Sequence, residues 1–203
     1  MLKFDPEKLT ERQNYKFLTG TVIPRPVAFV TTVSEAGTIN GAPFSYFNIV
    51  SSEPPMISVS VRRNNGRLKD TARNIKQRGE FVVHIVDRTN VEKVNQTAAT
   101  LPPDVSEVEK AGLTPVQSDK ISVPGVKEAK VRFECRLVEA LELGKNGQVG
   151  TDLIIGEIVR YHIDENIYYQ NGRIDQAALE AVSRLAGHNY ATIGEIFTLE
   201  RPK

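Results

Sequence analysis

The sequence has one cysteine, Cys135, no tryptophan and no excess of charge of either sign, with 26 Lys and Arg residues against 25 Asp and Glu residues in 203. A single cysteine excludes an internal disulfide. The formal net charge of +1 excludes a general nucleic-acid-binding protein, because such proteins displace counterions with a clear excess of Lys and Arg. Any anion-binding site must therefore be local.

Long apolar runs are also absent from the sequence. No run approaches the roughly 18 residues of a membrane-spanning helix. The first thirty residues carry charges throughout, among them Lys3, Asp5 and Arg12, and these charges interrupt the apolar stretch that a secretory signal peptide requires. We expect a cytoplasmic protein with no membrane partner.

The hydrophobic pattern is dominated by strands. No segment repeats at 20 to 50 residues, which excludes solenoids and propellers. Strands do not alternate regularly with helices, so the sequence predicts an antiparallel β-barrel with peripheral helices rather than a doubly wound parallel sheet. Strands are predicted at 27–33, 38–40, 56–61, 81–86, 130–141 and 153–162, and helices at 4–20, 70–77, 89–98, 106–111 and 176–185.

The whole chain, 1–203, is expected to form one domain. An N-terminal helix occupies the region 1–20, and the last predicted helix has Asp175 as its N-cap. The proline-rich segment 99–128 is expected to be an excursion laid over the barrel rather than a linker.

Motifs for side-chain catalysis are missing. The sequence has no nucleophile elbow, no Walker motif and no Gly-x-Gly-x-x-Gly motif. His84, His162 and His188 form no metal-ligand pair by spacing, so no metal site is predicted. Cys135 stands in the middle of a strand and is interpreted as a buried structural thiol rather than a nucleophile. A bound cofactor is the natural source of any difficult chemistry.

The segment 40–55 interleaves aromatic, hydroxyl and amide side chains. Such a mixture suits a flat heteroaromatic ligand, with aromatic rings as its wall and polar groups at its edge. The alternative is an irregular crossover whose aromatic residues fill the core. The candidate residues are Phe44, Ser45, Tyr46, Phe47 and Asn48.

The segment 62–74 places five cations in twelve residues, where a predicted strand leads into a predicted helix. Lys69 and Thr71 stand at the helix start, where unpaired amides and the helix dipole favour an anion such as phosphate. Asp70 is a good N-cap and would compete for those amides. The alternative is a solvated, charged helix N-terminus.

Six spaced blocks, taken in order, resemble the flavin reductase-like family, in the branch that includes flavoredoxin and the reductase component of nitrilotriacetate monooxygenase. The resemblance covers about residues 15–200, and the six blocks together make it specific. They are VIPRPVAFVTT (22–32), APFSYFN (42–48), EPPM (53–56), KDTARNI (69–75), GEFVVH (79–84) and FECRL (133–137).

The resemblance implies an FMN-binding split β-barrel of the antiparallel Greek-key type, and a homodimer with the flavin near the subunit interface. It places the 42–48 block along the flavin ring and the block that starts at Lys69 at the phosphate end. The predicted FMN-binding residues are Arg25, Ser45, Tyr46, Phe47, Asn48, Ser60, Val61, Arg62, Lys69, Asp70, Thr71, Arg184 and Tyr190.

The function implied by the resemblance is an FMN oxidoreductase that takes a hydride from NAD(P)H and passes electrons to free flavin, oxygen or a partner such as a monooxygenase. Reductases that use NAD(P)H commonly carry a His near the place where this sequence has Asp152. That departure favours an alternative, a flavoredoxin-like electron carrier with little nicotinamide activity. A third interpretation is a non-enzymatic barrel that binds another phosphorylated ligand. No catalytic side chain is predicted, and His84 is interpreted as a core histidine.

Overall fold

The computed structural model describes residues 1–202. Its helices are α1 (Glu11–Thr21), α2 (Asp70–Arg78), α3 (Val91–Gln96), α4 (Glu107–Lys110) and α5 (Gln176–Leu179). Its strands are β1 (Arg25–Pro26), β2 (Ala28–Val33), β3 (Ile39–Phe44), β4 (Phe47–Ser52), β5 (Pro55–Arg62), β6 (Glu80–Ile85), β7 (Pro115–Val116), β8 (Gly125–Val126), β9 (Val131–Lys145), β10 (Gln148–Ile163), β11 (Val182–Arg184) and β12 (Tyr190–Thr192). Within residues 1–202, no helix has the length and apolar character needed to cross a membrane.

Seven strands form one antiparallel sheet in the order β3-β2-β6-β9-β10-β5-β4. The two end strands, β3 and β4, are consecutive in the chain and are joined only by Ser45 and Tyr46. Six strand spacings of about 4.8 Å would separate the ends of a flat sheet by about 29 Å, whereas three peptide steps span at most about 11 Å. The sheet therefore curls until its ends meet, which confirms the predicted mainly β, antiparallel barrel.

The barrel core lies on one face of this sheet. In β5 the side chains of Ile57, Val59 and Val61 are at most 3% exposed, while Ser60 and Arg62 lie on the opposite face. This alternation follows from the two-residue period of a strand and confirms the predicted pattern. The core is completed by Ala28, Val30, Phe44, Phe47, Ala72, Ile75, Phe81, Val83, Cys135, Ile154 and Ile158.

Segment 99–128 packs against the sheet through two further apolar clusters. Val108 and Leu113 join a cluster with Phe29, and Val123 joins another with Val82. Val108 lies in α4, whereas Leu113 and Val123 lie in the connections that precede β7 and β8.

The structure corrects two predicted helix boundaries and adds strands that the sequence did not predict. Helix α1 begins at Glu11, behind a reciprocal capping box between Thr10 and Gln13, rather than at residue 4. Helix α5 has the predicted Asp175 N-cap but ends at Leu179, so the prediction of a helix to residue 185 was wrong. Residues 182–184 instead form β11, which pairs with β1. Strand β4 was not predicted as a strand.

Two side chains considered as candidates from the sequence, His84 and Cys135, have structural roles. The ring of His84 is 1% exposed, with its Nδ1 2.9 Å from the Phe29 carbonyl oxygen and its Nε2 accepting the Val126 amide at 2.9 Å. Burial lowers the pKa of His84 to about 3, so the ring is neutral at physiological pH. Burial also raises the pKa of the Cys135 thiol, which keeps it protonated. Both predictions of a core role are confirmed.

Candidate functional site

Helix α2 begins without a side-chain cap. Its N-cap residue is Lys69, which has extended backbone geometry and no side-chain acceptor. Asp70 lies inside the first turn, and its carboxylate pairs with Arg73. The expectation that Asp70 would occupy the helix amides was therefore wrong, because the carboxylate is turned along the helix. The first-turn amides and the positive end of the dipole remain for an anion.

Two cations lie beside this helix start. The Arg62 guanidinium is 5.3 Å from the centre of the Tyr15 ring and 2.8 Å from a Glu11 oxygen. Partial burial lowers the pKa of Lys69, and the positive charge of Arg62 lowers it further. An anion placed between these cations would relieve their repulsion.

A cleft of about 280 Å³ joins the helix start to the barrel. Ala42 and Pro43 of β3 line it together with Lys69, Asp70 and Thr71. The beginning of the 42–48 block and the 69–71 block therefore meet in one concavity. Its volume is slightly below the roughly 300–1,000 Å³ of most ligand sites, so it accommodates part of a ligand the size of a nucleotide. The remaining lining residues are Asn40, Asn64, Arg67, Leu68, Thr97, Ala98, Ala99, Thr100, Leu101 and Glu107.

A buried polar chain forms the floor of the cleft. Thr71 is 2% exposed, and its hydroxyl donates to Asn40 Oδ1 at 3.0 Å. Asn40 Nδ2 donates in turn to Glu107 Oε2 at 3.0 Å. The Thr71 hydroxyl proton is thus already engaged, so Thr71 offers a ligand its backbone amide rather than its side chain. Glu107 is an acceptor for hydroxyl groups and repels an anion placed next to it.

The two-residue connection between β3 and β4 lies next to the cations. The Tyr46 carbonyl accepts the Ser60 amide at 2.8 Å, which holds the connection beside β5. Burial raises the pKa of the Tyr46 phenol, as does Tyr15, while Arg62 acts in the opposite direction. Ser45, Tyr46 and Ser60 are half-buried, and all three therefore remain candidates for contact with a ligand.

Other predicted residues lie apart from the cleft. Phe47 and Asn48 line an apolar groove of about 450 Å³ with Phe133 and Tyr161. Phe47 also belongs to the barrel core. Val61 is fully buried, so its side chain contributes packing and only its backbone reaches the polar face.

The Arg25 side chain is buried and bound to backbone carbonyls. It is 7% exposed, and its guanidinium donates to the carbonyls of Thr19, Val22 and Leu185. These three bonds tie α1 to the end of β11. Arg25 does not line the cleft, and its phosphate role stays a prediction.

Arg184 and Tyr190 also lie outside the cleft. The Arg184 guanidinium is 4.5 Å from the centre of the Tyr190 ring, and the Tyr190 hydroxyl donates to Asn95 Oδ1 at 3.3 Å. Tyr190 lines a separate groove with Arg88 and Asn95. The pair stabilises the three-stranded sheet of β1, β11 and β12.

Asp152, the residue that departs from the reductase pattern, is fully buried. Arg63 binds its two oxygens at 2.8 Å each, and Lys76 lies 2.5 Å away. The hydrogen bonds of Arg63 are the main reason that the pKa of Asp152 is lowered, although burial opposes them. Asp152 is therefore an ionised structural anchor.

Sequence reasoning missed Asn40, Arg67 and Glu107 as parts of this cleft. Asn40 lies 31 residues before Thr71 and 67 before Glu107. No local pattern connects such distant positions. A signal existed for Arg67, one of the cations of the 62–74 segment, and for Asn40, the first residue of the 40–55 segment, but not for Glu107.

The fold described above recurs in known proteins. Residues 19–178 match the model of the family described as "Flavin reductase like domain". Since this match covers most of the sequence, the chain belongs to the flavin reductase-like family.

Several relatives resemble the chain over nearly its whole length. The Bacillus subtilis protein YwrF is 51% identical and covers 100% of both chains. The crystal structure of nitrilotriacetate monooxygenase component B from Bacillus cereus is 56% identical, with a TM-score of 0.96 over 98% of each chain. Flavoredoxin of Desulfovibrio vulgaris is 26% identical, with a TM-score of 0.76 over 88% of this chain and 91% of that one.

Proposed function

We propose that the protein is an FMN-dependent oxidoreductase of the flavin reductase type. The observation that carries this proposal is an uncapped helix N-terminus that lines one cleft together with two cations, Arg67 and Lys69, and with the beginning of the 42–48 block. Phosphate is the anion that such a helix start suits. The similarity to a monooxygenase component and to flavoredoxin supports a flavin in particular.

The residues present fit the phosphate end of FMN. The first-turn amides of α2, Lys69 and Arg62 supply donors and positive charge without a competing cap. Glu107 offers a carboxylate acceptor for hydroxyl groups of a linking chain deeper in the cleft. Ser45 and Tyr46 follow the cleft-lining residues Ala42 and Pro43 in the chain, and the Ser60 amide donates to the Tyr46 carbonyl. We assign these three residues to the polar edge of the ring.

When bound, FMN supplies the ability to accept a hydride and to release electrons one or two at a time. The chain's own contribution is to hold and orient the flavin and to surround it with fixed charges and amides. In the described part of the chain, His84 and Cys135 are buried in the core, and Asp152 is buried and ion-paired. No side-chain acid or base is assigned.

We propose NAD(P)H as the electron donor, and free flavin, oxygen or a partner protein as the acceptor. The name of the Bacillus cereus neighbour, a monooxygenase component, supports an oxygenase partner. The burial of Asp152 near the place where a His is common in nicotinamide-using reductases favours the second candidate, a flavoredoxin-like carrier. A barrel that binds another phosphorylated ligand is the third.

Anaerobic NADH and NADPH titrations of the FMN-loaded protein separate these candidates. We expect the absorbance near 450 nm to bleach rapidly, with a rate that saturates in nicotinamide concentration, because the bound ring is positioned for hydride transfer. Slow, non-saturating bleaching together with reversible reduction by dithionite would instead support the electron carrier. Failure of the purified chain to bind FMN on titration would contradict both.

We also propose that the chain is a homodimer. Strand β4 is an end strand of the sheet, and its Ile49 and Val50 are 76% and 47% exposed. The C-terminal segment exposes Phe197 and Leu199 at 76% and 82%. An unpaired edge with apolar side chains invites association unless another chain covers it.

Sedimentation equilibrium tests the dimer. We expect a mass twice the 22.6 kDa of one chain, and we expect Ile49→Lys to shift the protein towards monomer by placing a charge in the contact. Val105→Lys, at an exposed apolar residue off this edge, is the matched control and should leave the mass unchanged. A monomeric wild-type protein at micromolar concentration would contradict the proposal.

A further inference from the structure

Four charged side chains form a network behind the cleft. Asp152 of β10 is fully buried, and Glu142 of β9 is 48% exposed. Both carboxylates contact both Arg63 and Lys76, at distances of 2.5 to 2.8 Å. Two negative and two positive charges make the network neutral, which is the condition under which a buried charge is tolerated.

The two partners of Asp152 stand on either side of the helix start. Arg63 directly follows β5, and its amide donates to the Gly150 carbonyl at 2.8 Å. Lys76 lies in α2, two turns after Lys69. The buried Asp152 carboxylate therefore anchors the chain on both sides of Lys69, through Arg63 before it and Lys76 after it.

The segment 64–69, between Arg63 and helix α2, is short and contains a tight turn. The backbones of Asn64 and Arg67 exchange hydrogen bonds of 3.1 and 3.0 Å, and Asn65 and Gly66 have φ of 50° and 77°. The turn itself is exposed and is held by two backbone bonds. The position of Lys69 relative to Arg62 therefore depends on how firmly the flanks are anchored.

We propose that Asp152 is a positioning residue for the phosphate end of the ligand. Through Arg63 on one flank and Lys76 on the other, it holds Lys69 and the first turn of α2 at a fixed distance from Arg62. This inference rests on the proposed function, because it assumes that the ligand at this helix start is the phosphate of a flavin. Asp152 does not touch the ligand and acts only through the two cations.

The sign of the expected effect separates positioning from simple electrostatics. A negative charge near a phosphate repels it, so removal of that charge by itself strengthens binding. Loss of the anchor weakens binding, because donors that are free to move no longer converge on one point. A decrease in FMN affinity after removal of Asp152 therefore reports positioning.

The experiment measures dissociation constants of FMN and riboflavin for the full chain by fluorescence quenching. We expect Asp152→Asn to weaken FMN about tenfold and riboflavin less than about twofold, a change of one decade in the ratio. Glu142→Gln removes the same charge from the same two cations but leaves the Arg63–Asp152 pair, so FMN should bind equally well or slightly more tightly. Arg63→Lys keeps the charge and loses the two-point contact, and it should weaken FMN severalfold, which provides a second test if Asp152→Asn does not fold.

The outcomes distinguish failure of the phosphate assignment from failure of the positioning role of Asp152. A wild-type protein that binds FMN no more tightly than riboflavin would overturn the phosphate assignment of the proposed function. If the wild type prefers FMN, an unchanged FMN-to-riboflavin ratio in both Asp152→Asn and Arg63→Lys would overturn the positioning role alone. Glu134→Gln, at a buried carboxylate held by Asp119, Lys120 and His162, controls for general loss of stability and should leave the ratio unchanged.

Discussion

Replacement of both Arg62 and Lys69 by alanine is expected to weaken FMN binding about 100-fold, while riboflavin binding changes less than about threefold. Each charge-assisted hydrogen bond to a phosphate contributes about 1.5–3 kcal/mol. The lower end applies to Arg62, whose side chain is 47% exposed and is therefore screened by water. At about 1.5 kcal/mol for each residue the total is about 3 kcal/mol, which corresponds to a factor slightly above 100. Riboflavin lacks the phosphate and should not respond.

The measurement is titration of both flavins at constant ionic strength. Lys127→Ala combined with Arg136→Ala is the matched control, since it removes two exposed cations that line neither the cleft nor the groove beside Arg62. We expect that control to change FMN affinity less than about threefold, because exposed charges act weakly beyond a Debye length of about 8 Å. Equal loss of FMN and riboflavin in the Arg62/Lys69 variant would show that these residues support the site as a whole rather than the phosphate.

A second large effect is expected on stability, from Glu134→Gln. The Glu134 carboxylate is fully buried and accepts the amides of Asp119 and Lys120 at 2.7 Å each, one on each oxygen, with His162 Nε2 at 2.5 Å. Glutamine keeps the shape but has a single acceptor oxygen, so its amide group faces a backbone donor. We expect the free energy of unfolding to fall by about 2–4 kcal/mol, as for other buried groups that lose a charged partner.

The pH dependence of the free energy of unfolding provides a second test of the role of the Glu134 carboxylate. Burial alone would raise the pKa of Glu134, but the Asp119 amide, His162 and the Lys120 amide outweigh it and hold the pKa below the ordinary value of 4.5. A lowered native pKa stabilises the fold above pH 4.5, and this contribution disappears as the pH falls through the native value. The stability difference between wild type and Glu134→Gln should therefore narrow below pH 4.5.

Urea denaturation at pH 7 and at pH 3.5 measures this difference. Glu139→Gln, on the exposed face of the same strand, is the control and should change the free energy of unfolding by less than about 0.5 kcal/mol. A Glu134→Gln variant as stable as wild type at pH 7 would show that the two amides find other acceptors.

The strands were predictable where one chain segment alone determines which side is buried. Ile57, Val59 and Val61 alternate with polar residues, and that alternation specifies both the strand and its buried face. The antiparallel barrel followed from the number of such segments and the lack of helical crossovers. Strand β4 was missed because its exposed residues 48–50 do not alternate with buried ones.

The candidate site was predictable as two segments but not as a set of contacts. The start of α2 at Asp70 was predicted correctly from local sequence, whereas the phosphate role of the cations in 62–74 stays a prediction. The contact of the Thr71 hydroxyl with Asn40, which lies 31 residues away, could not be predicted in this way. Arg25 likewise donates to Leu185, 160 residues away. Side-chain partners at such separations depend on the tertiary fold, which local patterns do not encode.

The end of α5 shows the same limit for secondary structure. Residues 176–185 contain good helix formers, and Asp175 caps the helix as predicted. However, Ser183 and Arg184 pair with β1, and Glu180 takes a left-handed conformation that ends the helix. Pairing with a distant strand outweighed local helix propensity.

The most direct test of the central claim is a crystal structure of the chain grown with FMN. We expect the FMN phosphate within about 3.2 Å of first-turn amides of α2 and of Lys69 Nζ, with the ring running towards Ser45 and Tyr46. A phosphate bound elsewhere, for example in the groove lined by Arg88 and Tyr190, with Lys69 free of ligand contact, would contradict it.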